Sequence, residues 1–105
     1  MKVELSPGAR DDLNKIAEEI AKDSPAAAER FVADIERLAT TLRRFPDRGT
    51  SLEGWRDTRR LLLGKYLILY KVGPAMVDIV RIIHSARDIK TVVAGDERFK
   101  SDRQE

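Results

Sequence analysis

Residues 58–88, TRRLLLGKYLILYKVGPAMVDIVRIIHSARD, constrain this chain more than any other stretch. Runs rich in Val, Ile, Leu and Tyr are broken at only two places, which predicts three consecutive antiparallel strands. Gly64-Lys65 has the spacing of a two-residue hairpin loop, with glycine at the first central position, where a positive φ is needed. The second turn falls at Gly73-Pro74-Ala75, where Pro74 cannot donate to a ladder. With Gly64-Lys65 as the loop, Leu63 faces Tyr66, Leu61 faces Ile68 and Arg59 faces Tyr70. With the next loop at 73–76, Val72 faces Val77 and Lys71 faces Asp78, an opposite-charge pair that supports the register by ~0.2–1 kcal/mol.

Uninterrupted strands alternate their side chains with period two. One face then collects Leu62, Leu67, Leu69, Val80 and Ile82. The other collects Arg59, Leu61, Tyr66, Ile68, Tyr70, Ile79, Arg81 and Ile83. The first is apolar enough to require a cover of helices. The second sets tyrosines and arginines among aliphatics, which suits a partly open binding surface.

The cover lies upstream. Lys2 to Leu5 alternates like an edge strand, and Ser6-Pro7 is an N-cap followed by a first-turn proline. Ala9, Leu13, Ile16, Ala17 and Ile20 then recur at helical spacing, with Asp11, Asp12, Asn14, Lys15, Glu18 and Glu19 on the solvent side. Asp23-Ser24-Pro25 repeats the stop-and-start signal. A second stripe, Ala28, Phe31, Val32, Ile35, Leu38, Ala39, Leu42 and Phe45, runs until Pro46 ends it. So short a connection makes the two helices an antiparallel hairpin, packed on the apolar sheet face. Residues 46–57 are a polar loop whose Trp55 is expected near the start of the sheet, and 88–94 fit one or two helical turns closed by Gly95. The expected fold is α+β in the order β-α-α-β-β-β. It has an N-terminal edge strand and a helix hairpin on a three- to four-stranded, mainly antiparallel sheet. Residues 1–95 form one domain, and 96–105 a charged, loosely ordered tail.

Composition narrows the chemistry. A chain of 105 residues has room for one domain. It has no cysteine and one histidine, so disulfides and thiolate metal sites are excluded and no metal or other cofactor is expected. Phosphate-cradling glycine loops and nucleophile elbows are missing too. The longest apolar runs fall far short of the roughly 20 residues a membrane helix needs, and no signal-peptide pattern opens the chain. A cytoplasmic location with no membrane partner is expected. The first 54 residues hold 9 Lys/Arg against 11 Asp/Glu, and the rest hold 11 against 7. That asymmetry fits an anionic partner on the strand half, or simply a solvated surface.

On the alternating register Arg59 and Arg81 share the open face, with His84 and Arg87 where the third strand ends. Two chemistries fit. The arginines could stabilise phosphorane charge while a His or Tyr moves the proton, as in RNA cleavage. Alternatively they pair with carboxylates of the chain or of a bound partner, and His84 caps the strand.

Several pieces in order carry a resemblance. They are Ser6-Pro7-Gly8-Ala9-Arg10-Asp11-Asp12-Leu13 with Ile16, Ser24-Pro25-Ala26-Ala27-Ala28 with Phe31, Leu42 to Pro46, and Arg59-Arg60-Leu61. The most specific are Tyr66-Leu67-Ile68-Leu69-Tyr70-Lys71-Val72 and Ile79-Val80-Arg81-Ile82-Ile83-His84-Ser85-Ala86-Arg87-Asp88. Together they resemble the ParE/RelE superfamily of toxins from type II toxin–antitoxin systems. The His followed three residues later by Arg-Asp resembles the ParE branch. That resemblance implies a bacterial, growth-inhibiting, plasmid-stabilising toxin that inhibits DNA gyrase, has no hydrolytic site, and is wrapped by the C-terminal segment of a cognate antitoxin. The RelE branch would imply ribosome-dependent mRNA cleavage, for which Arg59, Lys65, Arg81, His84 and Arg87 stand in roughly the right region. This stretch is poorer in lysine than such nucleases, and no Tyr follows Arg81. The expected antitoxin- or target-binding residues are Arg59, Leu61, Tyr66, Ile68, Tyr70, Arg81, Ile83, His84 and Arg87.

Overall fold

A computed structural model describes residues 1–96 and Phe99. The chain runs β1 (Lys2–Leu5), α1 (Pro7–Asp23), α2 (Pro25–Arg44), a 3-10 turn (Pro46–Arg48), β2 (Thr50–Ser51), β3 (Thr58–Leu63), β4 (Tyr66–Val72), β5 (Met76–His84) and α3 (Ile89–Ala94). The fold is α+β, as expected. Its sheet has five strands ordered β1-β5-β4-β3-β2, with β1 parallel to β5 and the other pairs antiparallel. The count exceeds the expected three to four because Thr50 and Ser51 of the polar loop add themselves to the edge of β3.

Local chemistry sets the elements as the sequence implies. Ser6 and Ser24 accept hydrogen bonds from the N–H groups of Ala9 and Ala27, each at 3.1 Å, ahead of a first-turn proline. Gly64 takes φ 59° in the first hairpin. The register is the one expected, with Arg59 opposite Tyr70, Leu63 opposite Tyr66 and Lys71 opposite Asp78.

Alternation fails at one place. Leu69 faces Arg81 but Tyr70 faces Ile79, so Val80 is an extra residue in β5. This is a β-bulge, and everything after it swaps faces. Arg81 and Ile83 join the side of Leu67 and Leu69, and Ile82 and His84 join the side of Tyr66 and Ile68.

The helix hairpin also covers the face opposite to the one anticipated. Phe31, Ile35, Leu38 and Leu42 pack on Ile68, Tyr70, Val77, Ile79 and Ile82. The reason lies in the tyrosine, whose polar atom finds partners inside the fold. Tyr70 is fully buried, its hydroxyl accepting from Gly49 N–H and donating to Pro46 O, each at 2.8 Å. The face of Leu69, Val80 and Ile83 is closed as well, by Val92 and Val93 of α3, by Phe99, and by Leu52 and Trp55 from the loop. Over β4 and β5 neither face of the sheet is left open among the described residues.

Three further expectations change. Leu62 is 62% exposed, since the second cluster gathers over β4 and β5 rather than β3. Phe45 is 59% exposed, because as the C-cap of α2, at φ −131° and ψ 70°, it has left the helical spiral. Phe99, assigned to a loose tail, is fully buried and lies edge-on to Trp55 with ring centroids 6.4 Å apart. Phe99 thus joins the second core cluster, while residues 97, 98 and 100–105 of that tail lie outside the described ones. No helix among the described residues is long and apolar enough to cross a membrane.

Gly49 is required by close approach. A Cβ there would sit 2.6 Å from Arg60 O and 2.7 Å from the Tyr70 hydroxyl. Replacing Tyr70 by Phe leaves Gly49 N–H and Pro46 O without their partner, and chemical denaturation should show a loss of about 1–3 kcal/mol. Burial raises the Tyr70 hydroxyl above its ordinary pKa, against the smaller opposing pull of Gly49 N–H and Arg59. The unfolded chain therefore ionises first, so this contribution is present below about pH 10 and is lost as pH rises past it. Tyr70→Phe should show a shallower alkaline loss of stability than the parent.

Candidate functional site

Tyr66 and His84 are cross-strand partners at the end of the sheet nearest the first hairpin. The Tyr66 ring lies 5.1 Å from Phe31 of α2 and 5.6 Å from His84. The chain after β5 is tied in place, with Ser85 N–H donating to Lys65 O at 2.8 Å and Arg87 N–H to His84 O at 3.0 Å. Ala86 N–H donates to His84 Nδ1 at 3.0 Å, so that nitrogen carries no proton in this arrangement. Between this turn and α1 opens a cleft of about 350 Å³. Ile16, Tyr66, Ile82 and Ile83 give it apolar walls, while Lys15, His84 and Arg87 face Asp12 and Glu19 around it. A cleft with an apolar floor and both signs of charge at the rim suits an amphipathic protein segment.

Beside the cleft, Asp12 does something its position on a helix did not suggest. It lies among residues expected on the solvent side, yet its side chain is only 14% exposed. Its carboxylate accepts from Arg81 Nε at 2.7 Å, Arg81 Nη2 at 3.1 Å and Ile82 N–H at 2.9 Å. Asp96 approaches the same guanidinium at 3.5 Å. These contacts, the hydrogen bonds donated to Asp12 above all, raise the Arg81 pKa. Arg81 is thus neutralised by the chain's own carboxylates.

Arg59 is used in a similar way. It donates to Gly49 O at 2.7 Å and Asp47 O at 3.2 Å, with the Asp47 carboxylate 3.5 Å away. The two arginines expected on one open face are in fact on opposite faces, Arg59 beside Tyr70 and Arg81 beside Leu69. The bulge separates them. Of the other expected binding residues, Ile68 and Tyr70 are fully buried, and Leu61 is packed against the first core cluster. Tyr66, Ile83, His84 and Arg87 are brought together by the cleft, and exposed Lys65 sits on the neighbouring turn.

Sequence reasoning missed Asp12, Lys15, Ile16 and Glu19 as cleft residues. Their spacing, i, i+3, i+4 and i+7, was the available signal: it marks one flank of α1. Among the described residues, no group of three or more His, Asp and Glu side chains is placed to hold a metal ion.

Comparison with known proteins assigns this architecture. The model of the ParE toxin of type II toxin–antitoxin systems, parDE, matches residues 3–89. The chain belongs to that family. Its relatives carry both branch names of the superfamily. Toxin RelE2 of Caulobacter vibrioides is 36% identical over 77 residues, spanning 72% of this chain and 85% of that protein. Among solved structures, the chromosomal ParDE toxin–antitoxin system of P. aeruginosa superposes with a TM-score of 0.65 at 22% identity, over 80% of this chain and 95% of that one. The toxin–antitoxin complex RelBE2 of Mycobacterium tuberculosis gives 0.58 at 29% identity, over 79% and 95%.

If Asp12 and Arg81 work as a unit in this ParE-family chain, their substitutions cannot be additive. A double-mutant cycle on Asp12→Ala and Arg81→Ala, read by denaturation, should give a coupling of about 1–3 kcal/mol. Strict additivity would mean the pair does not hold α1 to β5.

Proposed function

We propose that this chain is the toxin of a type II toxin–antitoxin pair and that it acts as ParE-branch toxins do, by binding DNA gyrase without a hydrolytic step of its own. The observation that carries this reading is the fate of Arg81. A nuclease needs cations free to meet a phosphate as charge develops, and this guanidinium is already held by Asp12 and Asp96. Arg59 is similarly committed to the backbone of the 47–49 loop. Of the five nuclease candidates, Lys65, His84 and Arg87 remain exposed.

The cognate antitoxin occupies the His84 cleft. An amphipathic segment sets aliphatic side chains over Tyr66 and Ile16 and meets Lys15 and Arg87 with carboxylates. The solved neighbours, a ParDE system and a RelBE2 toxin–antitoxin complex, support a protein partner of this kind. A gyrase target and an antitoxin partner both support a location in the bacterial cytoplasm.

A second reading keeps one specific support, the 36% identity to a toxin named RelE2. It is ribosome-dependent mRNA cleavage, with His84 moving the proton and Lys65 and Arg87 meeting phosphate.

One pair of assays separates the readings. Purified protein at micromolar concentration should block supercoiling of relaxed plasmid by gyrase and leave mRNA intact in a translating extract. The double variant His84→Ala/Arg87→Ala should need about tenfold more protein for the same block, as the loss of one to two well-placed contacts implies. Ribosome-dependent cuts with unaffected gyrase would reverse the assignment.

A further inference from the structure

Phe45 is the anomaly that neither the fold nor the proposed function uses. An aromatic side chain 59% exposed is the opposite of what a C-cap position asks for. Arginines lie near it in the chain. Arg43 and Arg44 close the last turn of α2 and Arg48 the following 3-10 turn, and the Arg44 guanidinium lies 5.7 Å from the Phe45 ring centroid. Arg44, Phe45, Pro46, Asp47 and Arg48 line a shallow hollow of about 480 Å³. The helix dipole accounts for Arg43 and Arg44 at a C-terminus. It accounts for neither Arg48 nor the exposed ring.

This patch is remote from the His84 cleft. Phe31 reaches the cleft end of the sheet through Tyr66. Phe45 lies fourteen residues further along, roughly 20 Å at the rise of an α-helix.

We infer that the hollow around Phe45 is a second docking surface, one that takes an acidic protein segment carrying an exposed apolar side chain. The apolar side chain covers the free part of the Phe45 ring, and carboxylates flanking it meet Arg44 and Arg48 in charge-assisted hydrogen bonds. Charge complementarity selects the class of partner. The Asp47 carboxylate, 82% exposed, stands inside the patch, and the carbonyl end of α2 adds negative potential. A nucleic acid, with a phosphate at every step, meets both. A peptide places its few carboxylates on the arginines and passes Asp47 by.

The surface is independent of the gyrase reading and can be tested without it. The probe is a synthetic dodecapeptide of Gly and Ser with a central Leu-Phe pair flanked by three Glu, titrated into isotope-labelled full-length protein. Amide shifts should centre on residues 41–48 and leave 84–87 unmoved. Phe45→Ala should weaken binding at least about fivefold, as expected for an aromatic anchor, and Arg44→Glu/Arg48→Glu should abolish it. Neither substitution touches a buried side chain, and thermal melts of the variants confirm folding. His84→Ala should bind the peptide like the parent. Undiminished binding by Phe45→Ala, no binding at millimolar peptide, or larger shifts at 41–48 with a single-stranded oligonucleotide of equal charge would each overturn the inference.

Discussion

The long strand β5 is held by two different devices along its outer edge. As far as Ile79 it pairs with β1, in parallel. Beyond that point β1 has ended and the first turns of α1 take over. Ser6 N–H donates to Ile79 O at 2.9 Å and Ser6 Oγ to Val80 O at 2.8 Å, while Asp12 accepts from Ile82 N–H and from Arg81. One serine therefore caps a helix and satisfies carbonyls at the bulge, and one aspartate replaces a missing strand. A buried edge without such partners would leave several backbone groups unsatisfied, each at a cost of about 1–3 kcal/mol. The bulge at Val80 survives because this end of α1 is built around it.

The bulge in turn sets where the charged residues lie. One extra residue sends Arg81 to the opposite face from Arg59, toward Asp12 and Asp96, and turns His84 toward Tyr66 and the helix hairpin. Two arginines that a regular strand would align as one cationic surface become separate struts. Arg59 fastens the 47–49 loop on the β3 side of the sheet, and Arg81 fastens α1 on the β5 side. Of the residues expected to meet a partner or phosphate, Lys65 and Arg87 in the turns and His84 at the end of β5 stay exposed.

Much of the architecture was legible because it is local. The Ser-Pro caps, the hairpin glycine and the facing pairs from Arg59–Tyr70 to Lys71–Asp78 all depend on neighbours in sequence. The bulge was not, since Ile79 to Ile83 reads as an ordinary apolar run and nothing in it marks the extra residue. The choice of which face the helices cover was missed because tyrosine counts as amphipathic until a partner for its hydroxyl is known, and Gly49 and Pro46 lie more than twenty residues from Tyr70. Asp12 looked like a surface carboxylate for the same reason: Arg81 is 69 positions away. Phe99 stands among charged residues with no periodic companion to announce its burial. Within the site, His84 and Arg87 were visible as a cluster, but the α1 half of the cleft was not.

On the proposed function, the protein partner is engaged where β5 meets α1 rather than on an open cationic face. Hydrogen–deuterium exchange on the chain alone and bound to its cognate antitoxin tests it most directly. The account predicts new protection in residues 12–19 and 82–87. Protection confined to the face of Leu62 and Leu67, with both of those segments exchanging as in the free chain, would contradict it.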